Sequence, residues 1–277
     1  MNKIAFLGER GTFSELAAVK FFAGRTRTHS CRGFEEIFQC VANGRCRYGI
    51  VPIENSLSGS IHQNYDLLLN HDVWICGELK LRISHCLIAN PGTKLSDLRR
   101  VFSHPVALAQ CQRFLKKLKG VKSFSYRDTA GSVLHIKENG FCDAAAIASQ
   151  QVAEDHHMTI LKSRIEDNVK NFTRFFVMTK KKVPVKGPCK TSIVFALKNV
   201  PGALYKSLSI FAIRDINLYK IESRPIPGSP WKYMFYLDFE GRYNDPVIQK
   251  TLTHLQEISN YFKVMGSYPI GKEVEPG

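Results

Sequence analysis

The sequence predicts a mixed α/β protein made of two regions with different patterns. Up to about residue 180, short apolar strands alternate with helical stretches, which is typical of an α/β layer fold. The segment KKKVPVKGP after Thr179 has the charges, prolines and glycine of a linker. The pattern after it is strand, helix, strand, strand, helix, strand, the order of a ferredoxin-like domain. We therefore expect an α/β domain over residues 1–180, a linker over 181–189 and a βαββαβ domain over 190–270.

The first region opens with a strand, a glycine turn and a helix. Lys3–Leu7 is an apolar strand, and Glu15–Phe22 has apolar residues at helical spacing. Gly8 and Gly11 allow a tight turn between them, and free N–H groups at such a helix start favour an anion near Thr12. The spacing is neither G-x-G-x-x-G nor a P-loop. We predict no nucleotide or other cofactor.

A second polar turn follows the strand Tyr48–Ile53 and precedes the predicted helix Ile61–Leu69. Pro52 points to an edge strand or a strand end, because proline cannot donate a hydrogen bond to a neighbouring strand. Asn55 and Ser56 fall between strand and helix, which is where ligands of α/β sheets usually bind.

Further strands are predicted at Arg82–Ala89 and at Val101–Phe102. The stretch Val106–Leu118 has apolar residues at helical spacing and is predicted as one helix with Ser103 as its cap. Gln110 lies in the first turns of that helix. Helix-rich stretches are also predicted over residues 129–136 and 144–152.

The segment IEDNVKNFTRFFV, Ile165–Val177, is a polar loop that ends on Thr173 and Arg174 at the start of an apolar strand. A guanidinium offers a rigid fork of donors for a carboxylate, and a neighbouring hydroxyl can donate to whatever that fork holds. On spacing alone, a polar loop before a buried strand is the commoner interpretation.

The second region carries the alternation that predicts its βαββαβ order. Its predicted strands are Thr191–Leu197, Leu218–Ile226, Lys232–Phe239 and Phe262–Tyr268, and its predicted helices are Gly202–Ile213 and Val247–Ile258.

The formal net charge of +15 resembles that of nucleic-acid binders, but the distribution of charge argues against that function. Lysines occur in short runs, such as residues 180–182, without an arginine-rich helix or an aromatic stacking platform. We expect solvated faces and no nucleic-acid partner. A basic field that attracts a small dianion is compatible with the same composition.

The chain shows no pattern of a membrane protein, since its apolar runs fall short of the roughly 20 residues of a spanning helix. The N-terminus reaches glycine and charge too early for a signal peptide, so we expect a cytoplasmic protein, or a plastid stromal one if the sequence is a trimmed mature form. The eight cysteines lack C-x-x-C spacing and clustered histidines, which predicts thiols of a reduced compartment and no metal site.

Eight blocks in the sequence resemble, in order, those of prephenate dehydratases and the related arogenate dehydratases. The last two, GALY and ESRP, resemble the phenylalanine-binding motifs of the ACT regulatory domain fused to these enzymes. The blocks are LGERGTFS at Leu7–Ser14, VPIENSLSGSIHQNYDLLL at Val51–Leu69, SHPVALAQC at Ser103–Cys111, DTAGS at Asp128–Ser132, AAIAS at Ala145–Ser149, IEDN with NFTRF at 165–175, GALY at Gly202–Tyr205 and ESRP at Glu222–Pro225.

The resemblance implies a bilobal catalytic domain like type II periplasmic binding proteins, followed by a ferredoxin-like ACT domain. It implies decarboxylative dehydration of prephenate to phenylpyruvate in L-phenylalanine biosynthesis, with phenylalanine as effector and a homodimer or homotetramer. Arogenate dehydratase is the alternative activity. A non-catalytic amino-acid sensor is a third interpretation.

The resemblance also implies residue roles. The chain departs from the family pattern at Glu9, where proline often follows the first glycine, and at Val106, where glutamine commonly follows SHP. The implied catalytic residues are Thr173, Arg174, Asn55, Ser103 and Gln110; the implied substrate contacts are Thr12, Ser56, Thr129 and Phe175; the implied phenylalanine contacts are Gly202, Ala203, Leu204, Glu222, Ser223 and Arg224.

Overall fold

The fold was determined in a computed structural model that describes residues 2–24, 26–226 and 228–276. Up to residue 179 the helices and strands are β1 Asn2–Leu7, α1 Phe13–Phe21, β2 Thr26–Cys31, α2 Phe34–Ala42, β3 Tyr48–Asn55, β4 Gly59–Ser60, α3 His62–Asn70, β5 Trp74–Arg82, β6 Cys86–Ala89, β7 Arg100–Ser103, α4 Pro105–Gln110, α5 Gln112–Leu115, β8 Lys122–Ser125, α6 Thr129–Glu138, β9 Ala144–Ala148, α7 Gln150–Asp155, β10 Thr159–Lys162 and β11 Phe172–Thr179. The remaining ones are β12 Cys189–Leu197, α8 Ala203–Ala212, β13 Leu218–Ile226, β14 Ser229–Glu240, α9 Pro246–Ile258, β15 Ser259–Pro269 and β16 Glu273–Val274. No described helix has the length and apolar character needed to cross a membrane.

The chain forms two compact units. The first comprises residues 1–71, 79–176 and 272–277, and the second comprises 72–78 and 177–271. Residues 72–78 group with the second unit because they pack on it: the Glu78 carboxylate forms a buried ion pair with Lys190 at 2.7 Å, and Trp74 contacts the Tyr243 ring edge-on at 5.3 Å between centroids. The domain limits expected from the sequence stay a prediction.

The first unit contains two sheets. One has the strand order β16-β5-β11-β3-β1-β2, with β4 paired to β3, and β1 runs parallel to both of its neighbours. Ile4, Ala5 and Phe6 of β1 are fully buried, as expected for a parallel strand covered by helices on both faces.

The other sheet of the first unit has the order β10-β6-β9-β7-β8. Its central strand β9 is buried on both faces: Ala144, Ala146 and Ala148 pack with α6, and Ala145 and Ile147 pack with α4. The helix predicted over residues 144–152 is therefore wrong for its first half. A short, continuously apolar run of small residues does not distinguish a buried strand from a helix.

The second unit is built on an antiparallel sheet with the order β13-β14-β12-β15. Ile210 and Phe211 of α8 and Leu252 and Leu255 of α9 pack with the buried residues of this sheet. Four strands and two helices in this order confirm the predicted ferredoxin-like βαββαβ arrangement, and the two α/β sheets of the first unit confirm the α/β class.

Two local predictions were wrong. The stretch Val106–Leu118 forms two short helices, because the backbone departs from helical geometry at Cys111, where φ is −120° and ψ is 21°. The cap is His104, whose Nδ1 accepts from the Val106 amide at 3.3 Å, while Ser103 donates to the carbonyl of Ile147 at 2.6 Å.

The prediction from Pro52 was wrong about the edge, since β3 lies between β11 and β1. The recorded register of β3 with β1 ends at Gly49, which pairs with Ala5. Pro52 lies beyond that pair, so its missing N–H removes no hydrogen bond from that register.

Candidate active site

The first unit holds a cavity of about 340 Å³ between its two sheets. One wall comes from the turn after β1, the end of β3 with β4, and the start of β11. The other comes from the segment before β6, from α4 and from the start of α6. The strand ends and turns of an α/β fold thus converge on one cleft, the usual place for a ligand.

The Thr173 side chain lines this cavity from β11 and is only 9% exposed. Asn55 Nδ2 donates a hydrogen bond to Thr173 Oγ1 at 3.0 Å. An amide nitrogen can only donate, so the threonine oxygen is the acceptor. Among the described residues the Thr173 hydroxyl has no recorded acceptor of its own, which leaves its hydrogen available to a ligand in the cavity.

The amide of Asn55 is held in that orientation by hydrogen bonds on both of its ends. Its Oδ1 accepts from the backbone amides of Leu57 at 3.0 Å and Ser58 at 2.9 Å, which forms a tight side-chain turn. Its Nδ2 also donates to Asn171 Oδ1 at 2.7 Å. Backbone donors contact Oδ1 and acceptors contact Nδ2, so the orientation of the amide is assigned, and its NH₂ group faces Thr173.

Arg174 lies on the other face of β11 and does not line the cavity. Successive side chains of a strand point to opposite faces, so Thr173 and Phe175 line the cavity while Arg174 does not. The guanidinium carbon of Arg174 lies 4.8 Å from the Phe176 ring centroid, and its NH1 is 3.9 Å from the Glu54 carboxylate. Its role as a carboxylate clamp stays a prediction.

Gln110 lines the cavity and contacts His85, a residue that the sequence did not single out. Gln110 Oε1 lies 2.9 Å from His85 Nε2. Since the amide oxygen accepts, His85 carries its proton on Nε2, and its buried Nδ1 has no hydrogen-bond partner among the described residues. Burial lowers the pKa of His85, although Gln110 and the Glu166 carboxylate act in the opposite direction. The imidazole is therefore neutral at neutral pH.

The IEDN segment holds these two residues in place. The buried Glu166 carboxylate accepts from the His85 backbone amide at 2.9 Å. The Asp167 amide donates to the carbonyl of Gln110 at 2.7 Å, and the Asp167 carboxylate accepts from the amide of Arg113 at 3.0 Å. The predicted strand Arg82–Ala89 is interrupted before β6, and His85 lies in that interruption. A polar residue in the middle of an apolar run was the signal that could have found it.

The glycine turn after β1 has the backbone geometry that its sequence predicts. Gly8 and Gly11 adopt φ values of +90° and +85°, which side chains disfavour. A Cβ on Gly11 would overlap the Val152 side chain, and the Gly11 carbonyl accepts from Ser149 Oγ at 2.7 Å. The turn thereby places Thr12 on the cavity wall.

Charged residues line one part of the cavity. Arg127 is the only arginine or lysine among its described lining residues; it is mostly exposed and pairs with Glu9. Asp128 is the only acidic residue among them, and its carboxylate accepts from the Gly131 amide at 2.6 Å at the start of α6. His104 also lines the cavity; burial lowers its pKa, and the nearby Asp128 carboxylate partly opposes this.

The predicted site residues of the first unit separate into two groups. Those that line the cavity are Thr173, Asn55, Gln110, Thr12, Thr129 and Phe175. Those that do not are Arg174, Ser103 and Ser56. Ser56 Oγ donates to the Lys170 carbonyl at 3.1 Å and accepts from the Phe172 amide at 2.9 Å, so it fixes the loop that leads into β11.

The second unit has a cavity of its own, of about 260 Å³. Gly202, Ala203 and Leu204 line it, together with the exposed rings of Tyr205 and Trp231. The other three predicted phenylalanine contacts, Glu222, Ser223 and Arg224, lie on β13 and do not line it.

Comparison with known families identifies the family of this chain. The family model for prephenate dehydratase matches residues 4–183, which include every residue that lines the first cavity. The chain belongs to the prephenate dehydratase family. The family and the class of enzyme, a carbon–oxygen lyase, that the sequence predicts are confirmed.

Three relatives show how far the similarity extends. An arogenate dehydratase/prephenate dehydratase of Arabidopsis thaliana, named chloroplastic, is 43% identical over 97% of this chain and 73% of its own length. The structure of a prephenate dehydratase from Arthrobacter aurescens in complex with L-Phe has a TM-score of 0.89 at 30% identity, covering 97% of this chain and 90% of that one. A structure described as a quorum-quenching acylase has a TM-score of 0.88 at 34% identity, covering 96% and 97%.

Proposed function

We propose that the chain catalyses the decarboxylative dehydration of prephenate to phenylpyruvate and that Thr173 donates to the departing oxygen. The observation that carries the proposal is the buried Thr173 hydroxyl, which lines the cavity and accepts from Asn55 at 3.0 Å. Arogenate, in which an amine replaces the keto group of prephenate, is the alternative substrate.

The reaction explains why so few groups are needed. The bond between the ring and its carboxylate breaks, its electron pair enters the ring, and the ring hydroxyl leaves with a proton as water. Aromatisation makes the reaction strongly favourable. The enzyme has to orient a dianion and supply a donor at the leaving oxygen, which requires no covalent intermediate.

Thr173 suits the second task because Asn55 fixes its oxygen. A threonine hydroxyl is a weak acid, so we assign it a preorganised hydrogen bond to the leaving oxygen or the relay of a proton. Gln110 and the turn that carries Thr12 are the proposed further donors. Arg127 lies on the same wall, and to reach a substrate carboxylate it would have to leave Glu9 and Asp128.

We propose a supporting role for three residues that do not line the cavity, namely Arg174, Ser103 and Ser56. To reach a substrate carboxylate, Arg174 would have to leave Phe176 and Glu54. Ser103, which is bonded to the Ile147 carbonyl, and Ser56, which is bonded to the Lys170 carbonyl, hold the walls.

Arogenate dehydration is the second candidate, and Asp128 is the observation that favours it. Its carboxylate lines the cavity and could pair with the ammonium group that distinguishes arogenate from prephenate. Purified protein incubated in parallel with prephenate and with arogenate should form phenylpyruvate and phenylalanine, respectively. Turnover of neither compound contradicts the proposal. An Asp128→Asn variant that loses arogenate turnover more than prephenate turnover would assign the preference.

Acyl transfer is not favoured, although one relative is described as an acylase. A hydroxyl nucleophile needs a general base within hydrogen-bond reach. Among the described residues, His85 Nε2 bonds Gln110 and His104 Nδ1 accepts from Val106, and neither histidine has a recorded bond to a cavity hydroxyl. An acylated signal molecule belongs in the same assay as a comparison substrate.

We further propose that the second unit is an ACT regulatory domain that binds L-phenylalanine between two copies of the chain. The GALY residues that line its cavity and the L-Phe complex of a relative support this role. Activity measured against rising L-phenylalanine tests it, and sedimentation separates dimer from tetramer. No response to L-phenylalanine at any concentration contradicts the regulatory role.

For location, we favour the plastid stroma over the cytoplasm, because the name of the plant relative places that protein in chloroplasts. Fractionation of the source cells with an antibody to the chain tests the assignment. Detection only in the cytosolic fraction would reverse it.

A further inference from the structure

Three buried thiols and an imidazole lie together in the first unit, away from the residues that line the active-site cavity. One ligand atom from each of His29, Cys31 and Cys40 lies within 4.8 Å of the others. The thiols of Cys31 and Cys46 both lie close enough to the Cys40 thiol to interact with it. All three cysteines are 1% exposed.

The fold brings these four residues together from three elements. His29 and Cys31 are two apart on β2, so their side chains share one face of the strand. Cys40 lies on α2. Cys46 lies in the turn between α2 and β3, and its amide donates to the Cys40 carbonyl at 2.8 Å, which holds the turn against the helix.

We propose that His29, Cys31, Cys40 and Cys46 form a four-ligand site for a thiophilic divalent cation such as Zn²⁺. Three sulfurs and one imidazole nitrogen are a known tetrahedral donor set, and its bond lengths place ligand atoms roughly 3.3–3.8 Å apart. The ligand atoms of His29, Cys31 and Cys40 lie within 4.8 Å of one another, which is within a small side-chain adjustment of that spacing, and Cys46 is the proposed fourth ligand. The buried Nε2 of His29 has no hydrogen-bond partner among the described residues, which is the expected state of a nitrogen that a metal would occupy.

The surrounding charges fit such a complex. A Zn²⁺ with three thiolates carries a net negative charge. Lys3 of β1 and Arg45 of the turn act on His29 and Cys46 as positive neighbours, and Glu36 of α2 is the negative group that acts on His29 and Cys31. The two cations therefore stabilise the loaded site, while Glu36 opposes it.

The thiols give the site a defined pH dependence. Thiols bind a cation as thiolates, so the cation has to displace their protons. The affinity for metal should therefore rise with pH.

A cation held in this way would have four protein ligands and no open position. That arrangement is typical of structural sites, which stabilise the folded chain by joining its elements. Here the joined elements are β2, α2 and the turn before β3. The site is independent of the proposed dehydratase activity, and its test needs no substrate.

The test is a titration of the reduced, chelator-treated full-length protein with Co²⁺ and with Zn²⁺ against a chromophoric chelator. We expect one ion per chain, a thiolate-to-cobalt charge-transfer band, the strong visible bands of tetrahedral Co²⁺, and a higher Tm with Zn²⁺. Affinity should increase between pH 6 and pH 8. A protein that takes up no Co²⁺, or shows no charge-transfer band, overturns the proposal.

Variants assign the ligands. Cys40→Ser should abolish the charge-transfer band or weaken binding strongly, and Cys142→Ser, which removes an exposed cysteine, should bind like the unmodified protein. If Cys40→Ser does not fold, His29→Ala decides, because His29 is only half-buried. We expect His29→Ala to weaken binding more than about tenfold, since loss even of outer partners of a ligand costs that much. Unchanged affinity in a folded His29→Ala or Cys40→Ser protein overturns the four-ligand site.

Discussion

The two cavities of the molecule differ in how firmly their lining side chains are held. In the first, buried hydrogen bonds fix the lining: Thr173 is 9% exposed and bonds Asn55, and Asn55 bonds the fully buried Asn171. The second is lined by solvent-exposed rings, since Trp231 is 79% exposed and Tyr205 is 77% exposed. A site for chemistry needs fixed donors before the substrate arrives. A site for an effector can be completed by the ligand and by a second copy of the chain.

Removing the Thr173 hydroxyl tests the first cavity and should have the largest effect. Thr173→Ala should lower kcat by about 10²–10³-fold, the usual effect of losing one transition-state donor. Stability should change little, because Asn55 Nδ2 keeps Asn171 Oδ1 and the Phe172 carbonyl as acceptors. Steady-state kinetics and a thermal melt measure both quantities. Thr173→Ser is the control and should recover much of the activity; unchanged kcat in Thr173→Ala removes the assignment.

The second cavity is tested by its response to L-phenylalanine. Binding there should change activity by a coupling of about 1–3 kcal/mol, a five- to 150-fold change in affinity between states. Leu204→Asp places a charge in that cavity and should abolish the response while basal kcat stays the same. Leu95→Asp, an exposed leucine of the first unit that lines neither cavity, should respond normally. Equal responses in the two variants would show that the cavity is not the effector site.

The rigidity of the first cavity can be tested at the glycine turn. Gly11→Ala should lower the free energy of unfolding by about 2–4 kcal/mol, because positive φ and overlap with Val152 both oppose a Cβ. Gly44 separates these causes, since it has a φ of +78° and open space where a Cβ would lie. Gly44→Ala should lower the free energy of unfolding by only about 1–2 kcal/mol, because it adds a Cβ at positive φ without an overlap. Urea unfolding measures both; equal losses would mean that the contact with Val152 contributes nothing.

The smallest expected effect is the pH dependence that His85 gives to the first unit. Burial lowers its pKa in the folded protein, so below the ordinary value of about 6.5 the unfolded chain binds more protons. The contribution of a neutral His85 is complete above that pH and is lost as pH falls, with a slope of at most about 1.4 kcal/mol per pH unit. His85→Gln should remove this slope from unfolding curves measured between pH 7 and pH 5.

Two other histidines with lowered pKa values do not affect that comparison. His29 and His104 also have lowered pKa values, but they remain in both proteins. The difference between the two curves therefore isolates His85. Parallel curves would show that His85 is not protonated on unfolding in this range.

Local sequence determined much of the fold and part of the site. The βαββαβ order of the second unit follows from alternating apolar residues, which reflect the two faces of a strand. The turn at Gly8 and Gly11 follows from the need for positive φ, a local property of the backbone. The order of the motifs along the chain predicted that Thr173 and Asn55 belong to one site.

The other features of the site depend on which distant residues meet in the folded chain. Thr173 and Arg174 are neighbours in sequence, yet alternation along β11 directs only Thr173 to the cavity. His85 entered the site because Glu166 and Gln110, far along the chain, bond it. The sequence spacing of the cysteines predicted no cluster, and β2, α2 and the following turn assembled one by packing. The spacing of residues along the chain specifies strands, helices and turns. A site is made of contacts between residues that are far apart in sequence, and local spacing does not predict those contacts.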